Sequence, residues 1–416
     1  MKNLSELIKN QAAWVMEACD RLGKISQSNE YIDRQYLTKE HRAANRQVSE
    51  WMHTNNMHTW EDGVGNVWGR LESNNPKAKS LIMGSHLDTV VNGGRYDGML
   101  GVIAPIALVE IVNSLELELP FHLDIVGFCD EEGTRFGSTL LGSRALTGKW
   151  QDDWADFTDA DGISLRQAML DFGLDFEQVN SCQLNPEDIL AFVETHIEQG
   201  PVLENNDLPV GVVTAIAGAK RLIIKLEGMA GHAGTVPMKR RQDTLVGASE
   251  MILAAEKYAL QANVLATVGR ITNAPNAINV ISGYTEFSLD IRSDNDHARD
   301  KCLELIISKF NKIAEKRSLT ISTQLTHDAP AVLCTQHLID KLAQACYLAN
   351  IVPEDGAFEL LSGAGHDAMA MADICETGML FVRCEKGISH NPKEAIIVED
   401  VEATLKVLLK FITHHE

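Results

Sequence analysis

Nine side chains in this 416-residue chain combine the right types and positions for metal chemistry: His86, Asp88, Asp97, Glu131, Glu132, His196, His366, Asp367 and His390. A lone histidine is more often a core or surface residue than a ligand. An adjacent acid pair is more often a solvated turn. Joint placement is what points to chemistry. His86 and Asp88 end the apolar run "SLIMGSHLD", Asp97 follows in "NGGRYDG", and Glu131–Glu132 end "FHLDIVGFCDEEG". Imidazoles and carboxylates without thiolates suit divalent ions such as Zn²⁺, Mn²⁺ or Co²⁺. In a site of two ions ~3.5–4 Å apart, one carboxylate must bridge them. Asp97, on a loop beside Gly98, is the natural bridge. His86 and Asp88 are two apart, so on a strand they face the same way. The Asp88 carboxylate is therefore expected to accept the ring N–H of His86 and fix its tautomer. Side chains at Glu131 and Glu132 should diverge, so that one binds metal and the other takes a proton from an attacking water. Spacing alone leaves open which does which.

These residues need elements to hold them. "ELIKNQAAWVMEACDRL" and the segment around 39–54 have helical spacing. "SLIMGSHLD" reads as a buried strand, "MLGVIAPIALVEIVNSL" as a helix, and "FHLDIVGFCDEEG" as a second strand. This βαβ rhythm implies an α/β fold with a mostly parallel sheet, whose ligands gather beyond the carboxyl ends of the strands. From about residue 211 the texture changes. "RLIIKLEGM", "VLATVGRIT", "TEFSLDIRS" and "LTISTQLT" read as strands, with helices at "DTLVGASEMILAAEKYAL" and "ARDKCLELIISKFNKIAEKR". That order suits a ferredoxin-like α/β module, inserted over 211–328 between parts of one larger domain, 1–210 and 329–416. The acidic segment 150–190 carries no recognisable motif.

Composition narrows the function. A formal charge of −21 repels phosphate backbones, which disfavours nucleic acid as a partner. The longest apolar run, "MLGVIAPIALV", is broken by Glu110 and is too short to span a bilayer, so no membrane partner is expected. Eight scattered cysteines form no CxxC pair. With no signal-peptide pattern in "MKNLSELIKN", a reducing cytoplasm is the expected location.

The stretches "GSHLDTVVNGGRYDG", "DEEGTRFGSTLLGSRALTG", "HIEQGPVLE", "GHAGTVPM", "NAINV", "DIR", "GAGHDAM" and "ISHNP" occur in this order over residues 84–392. Together they resemble the M20-type binuclear metallohydrolases. Specifically they resemble the amidase and carbamoylase branch, which contains allantoate amidohydrolases and N-carbamoyl-L-amino-acid hydrolases. The resemblance implies a catalytic domain holding two divalent ions per subunit, zinc or manganese, with cobalt or nickel also possible. His86 and His196 would hold one ion, Glu132 and His390 the other, and Asp97 would bridge them. The resemblance makes Glu131 the general base. It makes His232, in the inserted lid and dimerisation module, the donor that polarises the substrate carbonyl, delivered by domain closure or from a partner subunit. Hinges near Gly211 and residue 328 would permit closure. Arg292 would anchor a substrate carboxylate, with Arg221 a second candidate, and Asn279 and Gln199 would also touch substrate. His366 and Asp367 stay outside the catalytic set.

The implied activity is metal-assisted hydrolysis of a ureido C–N bond in a small carboxylate-bearing molecule. Allantoate comes first, in purine nitrogen recovery. An N-carbamoyl-L-amino acid is second, then ureidoglycolate or a peptide. The peptide reading is disfavoured by His196 in "HIEQG". A non-catalytic metal-dependent binding protein should lack a base at Glu131. The family likeness also implies a homodimer.

Overall fold

The computed structural model describes residues 3–353 and 356–414. Four strands, His122–Phe128, Ser80–His86, Ile189–Ile197 and Thr377–Val382, lie side by side in that order, all parallel. Being covered on both faces, they are buried almost throughout, and so read as apolar runs rather than as alternation. Antiparallel strands extend the sheet on both sides. Val67–Leu71 and His58–Glu61 lie beyond His122–Phe128, and Val210–Ile216 lies beyond Thr377–Val382. The helix Met99–Ser114 is apolar and buried all round as far as Val109, with Glu110, Asn113 and Ser114 half-buried near its end. It packs against Ser80–His86 and against the helices Leu4–Leu22 and Val398–Thr413.

Sequence reading assigns no strand to Ile189–Ile197, Val210–Ile216 or Thr377–Val382. In the first, Glu194, Thr195 and His196 interrupt the apolar pattern, yet all three are buried. Gly211, read as a hinge, lies inside Val210–Ile216 and pairs with Phe381.

The residues Ala215–Leu333 form a second compact unit; those up to Thr214 and from Cys334 form the first. In the second unit Thr320–Ala329, Gly218–Glu227 and Tyr284–Ser293 lie in that order, all antiparallel. Tyr284–Ser293 alternates strictly between buried and half-buried residues. It sends Phe287, Leu289 and Ile291 into a core shared with the helices Thr244–Ala262 and Asp296–Arg317. This is a ferredoxin-like arrangement. The run 264–272, expected as one strand, is two, Leu265–Thr267 and Ile271–Ala274. Between them the Ser288 hydroxyl oxygen accepts the Arg270 N–H, while the Ser288 N–H donates to the Arg270 carbonyl. A side chain thus takes over a ladder position there.

Segment 150–190 turns out to wall a satellite core, in which Trp150, Trp154, Phe172 and Phe176 pack with Tyr36. His41 stacks on Phe172 at 5.0 Å, and its Nδ1 accepts the Leu37 N–H. Burial pushes the His41 imidazole down to about 3. The folded state therefore keeps this ring neutral while the unfolded chain protonates it below its ordinary value of about 6.5. Stability from this site is complete above pH 6.5 and falls as pH drops toward 3, by at most about 1.4 kcal/mol per pH unit. Urea unfolding of wild type should thus lose about 1.6 kcal/mol more than His41→Gln between pH 6.5 and 5.0. Equal losses would remove His41 as the source.

All eight cysteines are free thiols. Among the described residues, no helix is long and apolar enough to cross a membrane.

Candidate metal centre

The carboxyl ends of the four parallel strands deliver the site, as expected for an open α/β sheet. His86 is the last residue of its strand, Glu131 and Glu132 follow Phe128, His196 is next to last in its strand, and His390 lies beyond Val382. Asp97 is one residue before Gly98, which opens the helix Met99–Ser114 with φ 76°. A Cβ at Gly98 would stand 2.5 Å from the His86 ring, so close approach and backbone angle both call for glycine.

Asp97 faces three imidazoles. Its Oδ1 is 3.1 Å from His196 Nε2 and 3.7 Å from His86 Nε2. Its Oδ2 is 3.2 Å from His390 Nε2, which is itself 3.3 Å from Glu132 Oε1. His86, Asp97 and His196 therefore bring ligand atoms within 4.8 Å of one another, and so do Asp97, Glu132 and His390. One carboxylate belongs to both groups. Nitrogen and carboxylate donors without a thiolate fit borderline divalent ions.

Two acids of this site are driven in opposite directions. Burial would raise Asp97, but contacts from His196, His390 and His86 outweigh it and hold its carboxyl well below the ordinary value. Burial pushes Glu131 well above the ordinary value, opposed by His86 and reinforced by the charge of Glu132. Neighbouring carboxyls pushed apart in this way can divide ionised and proton-carrying roles between them.

Two expectations need correction. The His86 ring is paired through Nδ1 with the backbone carbonyl of Asp88, at 3.0 Å, while the Asp88 carboxylate stands 3.8 Å away. That carboxylate instead accepts the N–H groups of Glu131 and Glu132, each at 3.1 Å. Asp88 lies past the strand end, so the two-residue periodicity no longer governs it. Likewise Glu131 and Glu132 do not diverge: both bring an oxygen within 4.8 Å of a His86 nitrogen. They too lie beyond their strand, and Asp130 at φ 56° turns the chain just before them.

Gln199 joins the centre, its Nε2 donating to Asp97 Oδ2 at 3.0 Å, while its Oε1 is buried without a hydrogen-bond partner among the described residues. The other substrate candidates lie in the second unit. His232 lies on a two-stranded ribbon opposite Val280, and Asn279 lies in the turn just before that strand; both are exposed, and the Ala233 N–H donates to the Asn279 carbonyl. Arg292 grips both oxygens of Asp290, at 2.8 and 3.1 Å, and Arg221 Nε donates to the same carboxylate at 2.9 Å.

Four further polar residues support the centre. Glu194 accepts the Ser85 hydroxyl at 2.7 Å and the Ala368 N–H at 2.9 Å. His366 sets its ring 4.5 Å from that of His196, edge to face, and its Nε2 is 2.7 Å from Ser362 Oγ. Ser389 and Glu394 flank Asp97. The signal for Glu194 was a carboxylate inside the apolar "AFVETHI"; Ser389 and Glu394 left none beyond their nearness to His390.

Residues 82–414 match the model of the peptidase family M20/M25/M40. An allantoate deiminase of Arabidopsis thaliana is 39% identical over 94% of this chain and 80% of its own length. An N-carbamoyl-L-amino-acid amidohydrolase of Pseudomonas sp. (strain NS671) is also 39% identical, over 95% of this chain and 96% of its own. The crystal structure of an amidase of the hydantoinase/carbamoylase family from Burkholderia multivorans superposes with a TM-score of 0.90. It is 28% identical and covers 96% of this chain and 97% of its own.

Proposed function

Because this chain belongs to the peptidase family M20/M25/M40, as an amidohydrolase acting on C–N bonds, we propose that it cleaves a ureido C–N bond of a carboxylate-bearing substrate, allantoate first. The observation that carries this reading is the pair of ligand groups sharing Asp97. Members of the family depend on metal ions, and this chain has the side-chain groups to hold them. We assign His86, His196 and Asp97 to one ion and Asp97, Glu132 and His390 to a second. Two such ions, zinc or manganese, would lower the pKa of a water and polarise a carbonyl oxygen.

Glu131 then takes the proton of the attacking water and returns it to the departing nitrogen. Its burial suits a group that must carry a proton between those two steps. His232 donates a hydrogen bond to the carbonyl oxygen as negative charge grows there, a contribution of about 2.7–4 kcal/mol for such donors. Arg292, oriented by Asp290, takes the substrate carboxylate, with Arg221 beside it and Asn279 as a further contact. The unpartnered Oε1 of Gln199 can accept a ureido N–H. The Asp88 carboxylate holds the Glu131–Glu132 backbone in place.

An N-carbamoyl-L-amino acid is the second reading, favoured by the equally similar Pseudomonas enzyme. Ammonia release from allantoate, N-carbamoyl-L-amino acids and ureidoglycolate, with Mn²⁺ or Zn²⁺ added, separates these substrates. On the preferred one, Arg292→Ala should raise KM about 10- to 100-fold, the scale of hydrogen bonds to a charged group, with kcat less affected. No turnover of any ureido substrate would refute the proposal. Val246, Leu253 and Leu260, exposed at seven-residue spacing on Thr244–Ala262, support a homodimer through the second unit, which light scattering checks. Eight free thiols support a reducing, cytoplasmic location, which cell fractionation checks.

A further inference from the structure

One buried carboxylate that this mechanism does not use joins two loops of the centre. Glu394 is 3% exposed. Its Oε1 accepts the N–H groups of Tyr96 at 2.7 Å and of Asp97 at 3.1 Å, across a sequence separation of 298 and 297 residues. Its Oε2 lies 3.0 Å from the Ser389 hydroxyl, which also lies 2.8 Å from Asp97 Oδ2. A Cβ at Gly94 would land on the Glu394 carboxyl group. Glycine there is what lets the carboxylate reach the backbone beyond it.

Neither loop is held by a strand ladder at these positions, yet Asp97 comes from one and His390 from the other. We propose that Glu394 is a positioning residue that locks the Asp97 loop to the His390 loop and so sets the spacing of those two side chains. The proposal rests on the dinuclear reading above. Support of this kind around a metal ligand is typically worth 10–100-fold in metal affinity.

The shape of the contact defines the test. Glu394→Ala removes the acceptor and leaves two backbone N–H groups without it. Glu394→Gln keeps one oxygen for both N–H groups, and its NH₂ can donate to Ser389, whose hydroxyl then turns wholly to Asp97. Gly94→Ala displaces Glu394 without altering it. Metal-free wild type and these variants are titrated with Zn²⁺ against a chromophoric chelator, with the melting temperature of each metal-free protein measured alongside. Wild type should take up two ions. Glu394→Ala and Gly94→Ala should bind at least one of them about 10–100-fold more weakly, and Glu394→Gln should bind like wild type. Wild-type affinity in both Glu394→Ala and Gly94→Ala would overturn the proposal, even if their metal-free melting temperatures fell. So would a Glu394→Gln protein as weak as Glu394→Ala, because charge rather than hydrogen-bonding shape would then matter. Wild type that takes up fewer than two ions would instead sink the dinuclear reading itself.

Discussion

Glu131→Gln should fold, bind metal like wild type, and lose about 10²- to 10⁴-fold in kcat, the range for removing a positioned proton-transfer group. Glutamine has the same shape and cannot take a proton. The Glu131 N–H, which donates to Asp88, is unaffected by the change. Glu131 lies in a buried position beside His86 and Glu132. Removing a buried carboxyl that burial already disfavours as an anion should not lower the melting temperature. Single-turnover kinetics on metal-loaded protein checks the chemical step, and elemental analysis checks the metal content. A variant that keeps a tenth or more of wild-type turnover would exclude Glu131 as the base.

Asp97→Asn should be the most damaging single change to the centre, because one carboxylate serves both ligand groups. Glu132 and His390 stand in the second group and not in the one formed by His86, Asp97 and His196, so Glu132→Gln is expected to weaken one ion. Asp97→Asn is expected to weaken both. Since outer supporting residues already contribute 10–100-fold to affinity, loss of a shared ligand should cost at least about 100-fold at each ion. Activity should fall to background and should not return with excess Mn²⁺ or Zn²⁺. In the metal-free protein, the same substitution would also remove a carboxylate that His196, His390 and His86 hold strongly ionised. Calorimetric titration distinguishes the outcomes: two ions bound at wild-type affinity would show that Asp97 is not shared.

Much of the candidate ligand cluster was legible because the residue types are unusual where they stand. His86 and the Glu131–Glu132 pair end apolar runs, and Asp97 sits among glycines. Periodicity failed past the strand ends, two residues beyond His86 at Asp88 and three and four beyond Phe128 at Glu131 and Glu132. It sent the Asp88 carboxylate to His86 and splayed Glu131 from Glu132, whereas the turn at Asp130 and the N–H groups that follow it dictate both. Glu194 escaped notice for a different reason. Its strand is buried on both faces, so a carboxylate satisfied by Ser85 and Ala368 breaks the only pattern that marks such a strand.

Taken by itself, the amino-acid sequence determined the α/β rhythm, the alternating strands of the second unit, and the nitrogen-and-oxygen donor chemistry of the acids and histidines. Those properties follow from local spacing and side-chain chemistry. Tertiary structure alone decided which of those groups meet and which oxygen faces which nitrogen. It also decided that Glu394 and Ser389 belong with Asp97. Contacts across some three hundred residues depend on how strands are ordered in the sheet and how loops cross their ends, and no local propensity encodes that order.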